Sequence, residues 1–137
     1  MGINIWAVVL AVVAQFVVGM AWYTVIFGAA WGRIHGFDKL DKEKQQEMAG
    51  KMGPFYGLQL VTTIFTAVVL AKLIVLLPSY SPYTLAFMVW LGFVLPTQYS
   101  AVVFGGTEPK LIVQKLAIMA GGTLACLVAG AAILGAF

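Results

Sequence analysis

The chain has 137 residues, of which 62% are hydrophobic and 9% are charged, and its net charge is +3. Soluble domains carry about a quarter charged residues, so this composition excludes an ordinary soluble protein and predicts one small membrane domain over residues 1–137. Nucleic-acid binding is not expected either, because the basic residues flank apolar segments instead of forming a stripe.

Four apolar segments predict four transmembrane helices, because a bilayer core about 30 Å thick requires roughly 20 apolar residues in a helix. The predicted helices occupy residues 4–29, 54–77, 83–104 and 109–136. The expected fold class is therefore an all-α membrane protein. The first apolar segment is too long for a cleaved signal peptide and is expected to be retained as a helix.

Between the first and second predicted helices, residues 33–51 contain nine of the thirteen charged residues. This segment must lie outside the hydrocarbon. We interpret it as a solvated loop in which Asp38 or Asp41 caps a short helix. Docking of a cytoplasmic partner protein is the alternative interpretation of the same charges.

The second predicted helix starts at Gly53-Pro54. Residues 78–82 form a short, uncharged and turn-rich connection, which predicts that the second and third helices are antiparallel neighbours. Pro96 lies within the third helix, where its ring removes one backbone hydrogen bond and crowds the carbonyl of Gly92. A kink is therefore expected at this point.

The fourth predicted helix carries small residues at four-residue spacing on two adjoining faces. Such stripes let helix backbones approach closely, and the partner is either a helix of the same chain or another subunit. The chain is expected to assemble into a homo-oligomer. Cys126 is interpreted as one of these packing residues. The two stripes are Gly121, Ala125 and Ala129, and Gly122, Cys126 and Gly130.

The basic residues are distributed unequally between the two sides of the predicted bundle. Seven of the eight lie on the side of the first and third connections, and Lys72 lies alone on the other. The positive-inside rule then predicts that both termini face out and that loops 33–51 and 105–109 are cytoplasmic.

The first and third predicted helices contain similar sequences. Residues 16–28 align without gaps on residues 93–105, with five identities in thirteen positions, and Trp22 is aligned with Tyr99. Because both helices cross in the same direction, the alignment predicts two parallel helical-hairpin repeats, related by a pseudo-twofold axis along the membrane normal.

Short aromatic, glycine and proline motifs lie on both sides of the charged loop. They are Trp22-Tyr23, Phe27-Gly28, Trp31, Leu91-Gly92-Phe93, Pro96-Thr97 and Phe104. In this order the motifs resemble the domain-of-unknown-function 1761 family over essentially the whole length of the chain. The resemblance implies a four-span protein of a bacterial inner membrane, and it brings no activity, cofactor or catalytic residue to carry over. Family members often have Trp-Tyr-Ser-Pro where this chain has Trp22-Tyr23-Thr24-Val25, so the chain lacks the proline that would kink the first helix there.

All four predicted helices carry polar or aromatic residues at a similar depth, on the order of 7 Å inside the boundary on the loop side. An amide that faced lipid would leave its hydrogen-bonding groups unsatisfied, so these side chains are expected to point into the bundle. Gln15 lies deeper, near mid-membrane. The candidate solute-binding residues are Trp22, Tyr23, Gln59, Thr62, Gln98, Tyr99 and Gln114.

This polar layer has two interpretations. It is either a pocket, with Trp22, Tyr23 and Tyr99 as aromatic walls that could also hold a cation, or a set of interhelical hydrogen bonds. The pocket predicts a small passive carrier or channel-like protein for a small polar or cationic solute, and the convergence of polar groups favours it. The hydrogen bonds predict a structural or accessory membrane subunit without a ligand. An aromatic belt at the membrane interface explains Trp22 and Trp31 equally well.

Few residues could support catalysis. The charged residues within the predicted helices are lysines near helix ends, which leaves a proton relay or charge-coupled pump without obvious residues. His35 is the only histidine and is interpreted as a loop residue instead of a metal ligand. Nucleophilic catalysis lacks a base in reach. The sequence therefore predicts a protein that is not an enzyme and that holds no metal or cofactor.

Overall fold

The chain folds into helices joined by short turns. The computed structural model describes residues 2–137, and Met1, which belongs to the predicted domain, lies outside the described residues. Within residues 2–137 every regular element is helical. The α-helices are α1 Ile5–Ala21, α2 Gly28–Ile34, α3 Lys42–Gly50, α4 Gly53–Leu76, α5 Pro82–Val89, α6 Leu95–Phe104 and α7 Ile112–Ala136, with π-helical turns at Trp22–Ile26 and Trp90–Val94 and 3₁₀ turns at Phe37–Lys39 and Pro109–Leu111.

Four helical segments are long and apolar enough to cross a membrane. They are the first span Ile5–Ile26, the second span Gly53–Leu76, the third span Pro82–Phe104 and the fourth span Pro109–Ala136. Their 22 to 28 residues correspond to about 33 to 42 Å of helix, which exceeds the hydrocarbon thickness. The prediction of an all-helical fold with four helices that could span a membrane is confirmed.

The helix starts follow from local capping. Asn4 caps α1, since its side-chain oxygen accepts hydrogen bonds from the backbone N–H groups of Trp6, at 3.0 Å, and Ala7, at 3.3 Å. Asp41, and not Asp38, caps α3 by accepting the N–H of Lys44 at 2.8 Å. Each cap satisfies N–H groups that the first turn of a helix leaves free.

Helical structure is interrupted at Phe27, within the predicted range of 4–29, and then continues beyond that range to Ile34. A π-helical turn at Trp22–Ile26 connects α1 to α2, and the N–H of Phe27 bonds to the carbonyl of Trp22 at 2.9 Å, five residues back. Phe27 leaves the helical region, with φ −119° and ψ 15°, and α2 then runs to Ile34. The chain thus changes direction here without a proline, because the extra residue of a π turn interrupts the regular ladder.

The third span contains a similar turn where Pro96 was expected to kink the helix. The N–H of Leu95 bonds to the carbonyl of Trp90, which closes a π turn directly before the proline. Pro96 is then the second residue of α6, a position where its missing N–H is not needed by the helix ladder. The irregularity predicted near Pro96 is therefore a π turn, and Pro96 lies in the first turn of the helix that follows it.

The four spans pack most tightly at one end. We call the end that carries the turn 77–81 the turn end, and the end that carries α3 and the turn 105–108 the loop end. The first and fourth spans form the most extensive helix pair. Small and aliphatic residues from all four spans form one buried core in the turn-end half: Ala7, Ala11, Val12, Ala67, Leu70, Ala71, Leu85, Ala86, Leu127, Ala131 and Leu134.

The loop-end half is packed differently. Residues 53–62 of the second span are all exposed, whereas Val102 of the third span and Ile118 of the fourth are buried. The second span contacts the third through α5, which belongs to the turn-end part of that span. The second span therefore separates from the other three towards the loop end.

The small-residue stripe of the fourth span meets the first span of the same chain. A Cβ at Gly122 would lie 2.8 Å from the Trp22 ring, and one at Gly130 would lie 2.5 Å from the Gln15 amide nitrogen. The sulfur of Cys126 lies 3.4 Å from the carbonyl oxygen of Gln15. This face is thus occupied within the chain, and a homo-oligomer stays a prediction that this stripe does not support.

Candidate solute-binding cavity

A cavity of about 870 Å³ lies between the second span and the other three. Its size is within the range of small-molecule sites in proteins. It extends from Trp31 and Met52 at the loop end to Leu70 and Leu127, which belong to the turn-end core. The separation of the second span from the bundle therefore creates a space that the core closes on the turn side.

Uncharged groups line this cavity. The lining consists of amides, hydroxyls, aromatic and aliphatic side chains, thioethers and one thiol. The polar groups come from every span: Gln15, Tyr23, Thr24, Tyr56, Gln59, Thr63, Thr66, Gln98, Thr123 and Cys126. An apolar surface with a few convergent polar groups is typical of ligand sites.

Gln98 is fixed against the fourth span through one end of its amide. Its nitrogen donates to the Thr123 hydroxyl at 2.6 Å and lies 3.5 Å from the Met119 carbonyl oxygen. The Thr123 hydroxyl in turn donates to the Met119 carbonyl at 2.8 Å. The amide oxygen of Gln98 is buried and has no hydrogen-bond partner among residues 2–137, so it is an oriented acceptor that the described part of the chain does not use.

Gln15 lies at the first span's contact with the fourth. Gln15 is 3% exposed, and neither its amide oxygen nor its amide nitrogen has a hydrogen-bond partner among the described residues 2–137. The glycine at position 130 leaves space for this amide, as the 2.5 Å contact of a Cβ there shows. Buried polar groups in proteins are nearly always paired, so Gln15 is unusual.

Aromatic rings form one wall near the loop end. The rings of Tyr23 and Trp31 are 4.9 Å apart in an edge-on arrangement, and the rings of Trp31 and His35 are 4.4 Å apart. Nδ1 of His35 lies 2.9 Å from the Trp31 carbonyl oxygen. The change of direction at Phe27 brings α2, and with it Trp31, beside Tyr23 in the cavity lining.

Two tryptophans hold the first and third spans against the fourth. The indole N–H of Trp22 donates to the Ile118 carbonyl at 2.8 Å, and that of Trp90 donates to the Ala120 carbonyl at 2.8 Å. Each tryptophan is the first residue of a π turn. The indole bonds fix the position of both turns on the fourth span.

The family model described as "Protein of unknown function (DUF1761)" matches residues 6–135. The chain belongs to this family. The match covers all four spans of this DUF1761 protein and confirms the resemblance found in its motifs. Comparison with curated proteins and with solved structures yields no match.

Three of the seven residues predicted as solute contacts in this DUF1761 protein line the cavity. They are Tyr23, Gln59 and Gln98. Gln59 is exposed because the start of the second span stands away from the bundle. Its backbone carbonyl accepts the hydroxyl of Thr63 at 2.7 Å, and Thr63 lines the cavity one helical turn further along the span.

The other four residues are not brought into the lining. Trp22 is used as an anchor on the fourth span, as described above. Thr62 is exposed and its hydroxyl bonds to the Gln59 carbonyl at 2.9 Å. Tyr99 is 51% exposed, and Gln114 is also exposed. All four were predicted as solute contacts because they lie at a similar depth in the predicted helices. Depth does not determine which side of a helix a residue occupies.

The fourth span contributes Thr123 to the cavity where Gln114 was predicted. Nine residues separate the two positions, and nine steps of about 100° place them on opposite sides of an α-helix. The sequence contains a signal for the correct side, because Thr123 lies next to the small-residue face that includes Cys126 and Gly130. Helical spacing also connects Gln15, Gly19 and Tyr23 on the first span, and all three line the cavity.

Proposed function

We propose that this DUF1761 protein is a small passive carrier or channel-like protein of the membrane, and that its cavity takes up a small polar or cationic solute. The observation that carries the proposal is the set of buried amide atoms without partners at the cavity. Gln98 has one such atom and Gln15 has two. Amides that served only to connect helices would be paired within the chain.

The lining favours an uncharged mode of recognition. Amides and hydroxyls can replace part of the water around a polar solute. The faces of Tyr23 and Trp31 can hold a cation without a carboxylate. The proposed role is binding and passage instead of catalysis, because group transfer needs a base beside a nucleophile, and the lining provides amides, hydroxyls and one thiol.

The shape of the cavity supports access from the loop end. Residues 53–62 are exposed there, while the core of alanine and leucine residues closes the turn end. Passage through the protein would require this core to separate. Its contacts involve four alanines that are 0% exposed: Ala11, Ala67, Ala86 and Ala131.

The orientation in the membrane is part of the proposal. Seven of the eight basic residues lie at the loop end, and the positive-inside rule then directs this end, with the mouth of the cavity, to the cytoplasm of a bacterial cell. Both termini would face out. The test is to place single cysteines in the loop 38–51 and to treat intact cells with a membrane-impermeant thiol reagent. Labelling of this loop would show that it lies outside the cell and would contradict the proposed orientation.

A repeat of two parallel hairpins and assembly into a homo-oligomer also stay proposals. The first and third spans each contain one π turn, beginning at Trp22 and at Trp90. These turns lie 68 residues apart, whereas the sequence alignment uses a period of 77, so the repeat is proposed on the alignment alone. Cross-linking in the native membrane tests assembly, and a single monomeric band would remove that part of the proposal.

The alternative function is that of a structural or accessory subunit without a ligand. The hydrogen bonds of Trp22, Trp90 and Gln98 to the fourth span favour it, because each connects two spans as interhelical bonds do. In this case the cavity would be filled by lipid or by another protein.

Solute flux into proteoliposomes separates the two functions. Urea, glycerol and tetramethylammonium serve as neutral and cationic probes, and light scattering after rapid mixing reports their entry. We expect faster entry of at least one probe than into protein-free liposomes. Gln98→Leu should reduce this flux roughly tenfold, as loss of one hydrogen bond of about 1.4 kcal/mol would, and should leave the protein monodisperse.

Gln114→Leu is the matched control, because Gln114 lies on the opposite side of the fourth span from the cavity. This variant should retain the flux of the original chain. Equal flux into liposomes with and without protein would contradict transport. Aggregation of Gln98→Leu alone would assign Gln98 to interhelical packing and favour the accessory function.

A further inference from the structure

Gln15 contributes two of the three unpaired amide atoms on which the proposed function rests. The residue is 3% exposed, and neither atom of its amide has a partner. An amide in hydrocarbon without partners is unfavourable, and a methionine of similar length would fill the same space at no such cost. Within residues 2–137 the structure offers this amide no hydrogen-bond partner.

The position of Gln15 directs this missing partner to the cavity. The amide nitrogen lies against Gly130, where a Cβ would come within 2.5 Å of it. The thiol of Cys126 donates to the Gln15 backbone carbonyl at 3.4 Å, and a Cβ at Gly19 would lie 3.5 Å from that sulfur. The fourth span thus lies against the Gln15 amide, and Gln15 is also one of the residues that line the cavity.

A third unpaired amide atom lies along the same face of the fourth span. Gln98 is fixed through its nitrogen to Thr123, which leaves its oxygen as a buried acceptor. Thr123 and Cys126 are three residues apart on α7, and such residues are neighbours on one face. Together the two glutamines offer one donor group, the Gln15 amide nitrogen, and two acceptors, the amide oxygens of Gln15 and Gln98.

We infer that Gln15 is the recognition residue at the deep end of the cavity, and that the solute carries a neutral group that both donates and accepts hydrogen bonds, as a carboxamide or a urea does. A carboxamide is complementary to another carboxamide, since each N–H meets the other's oxygen. A quaternary ammonium has no N–H and cannot satisfy these atoms. The inference rests on the proposed function and narrows its solute class from polar or cationic to neutral and amide-like.

Proteoliposome flux tests this inference with acetamide, urea and tetramethylammonium as probes. In the original chain, acetamide and urea should enter faster than into protein-free liposomes. Gln15→Met keeps the length of the side chain and removes its amide. We expect it to reduce acetamide entry roughly tenfold or more, since a site built to hydrogen-bond a substrate group loses at least that much when the bond is lost.

The melting temperature of the same variant distinguishes recognition from packing. Because Gln15→Met removes two unpaired buried atoms, its melting temperature should equal or exceed that of the original chain. Acetamide should raise the melting temperature of the original chain, as a ligand of the folded state does, and this shift should be absent in Gln15→Met. If Gln15 served only as a contact between spans, the variant would melt at a lower temperature.

The outcomes separate this inference from the proposed function. Entry of tetramethylammonium without acetamide, an unchanged acetamide flux in Gln15→Met, or a lower melting temperature of that variant would each overturn the recognition role and leave transport standing. Failure of all three probes to enter faster than into protein-free liposomes would overturn both.

Discussion

The two halves of the bundle use the same four spans in different ways. At the turn end, alanines and leucines from all spans form a continuous core, and small side chains allow the backbones to approach closely. At the loop end the second span stands apart, and amides and hydroxyls face a cavity of about 870 Å³. The comparison indicates that the turn-end half contributes most of the stability of the bundle. The loop-end half can therefore contain unpaired polar atoms without unfolding the protein.

Overpacking the turn end should have the largest effect. Ala131 is 0% exposed in this core, and Ala131→Phe inserts a ring where no space exists. We expect a loss of stability on the order of 3 kcal/mol or more, measured as a lower melting temperature in detergent. Ala132→Phe is the matched control, since Ala132 is exposed. If both variants melted like the original chain, the turn end would not be a tight core.

Loss of an indole anchor should have an intermediate effect. Trp22→Phe removes the hydrogen bond to the Ile118 carbonyl and part of the ring that packs on Gly121 and Gly122. The expected loss is about 1–2 kcal/mol. The exposed Trp6 provides the control, because Trp6→Phe should leave the melting temperature unchanged. If Trp22→Phe lowered the melting temperature no more than Trp6→Phe, the indole hydrogen bond of Trp22 would contribute nothing to stability.

Two glycine substitutions should have the smallest effects, and these should be opposite in sign. A Cβ at Gly122 would lie 2.8 Å from the Trp22 ring, so the clash in Gly122→Ala should outweigh the gain in helix propensity and cost about 1 kcal/mol. A Cβ at Gly57 would meet nothing within 4 Å, and Gly57→Ala should stabilise by about 0.5–1 kcal/mol. Thermal melts of both variants in one detergent provide the measurement. Equal signs would contradict the contrast between a packed face and an open one.

The sequence predicted the spans well because hydrophobicity over about 20 residues determines them almost alone. It also identified the irregularity near Pro96, since proline has a fixed local effect. The π turn at Trp22–Ile26 was not predictable in this way. Its first residue, Trp22, is positioned by a bond to Ile118, 96 residues away in the chain, and no local pattern reports such a contact.

The candidate site was predicted only in part, for a geometric reason. The depth of a residue follows from its number of positions from the end of its helix. This count was enough to predict Tyr23, Gln59 and Gln98 as residues of the site. The side of each helix that faces the cavity depends on how the spans pack. In the folded chain Gln114 lies outside the cavity lining and Thr123 lies within it. Gln15 was visible in the sequence as a polar residue near mid-membrane, but its unpaired state depends on what surrounds it in space.

Thiol labelling tests the central contrast between a polar, accessible loop end and a closed turn end most directly. In a Cys126→Ser background, single cysteines replace Gln59, Gln98 and Ala131 in turn, and a water-soluble thiol reagent is applied to the purified protein in lipid nanodiscs. The account predicts that the cysteines at positions 59 and 98 react and that the cysteine at position 131 does not. A cysteine at position 98 as unreactive as the one at position 131 would contradict it.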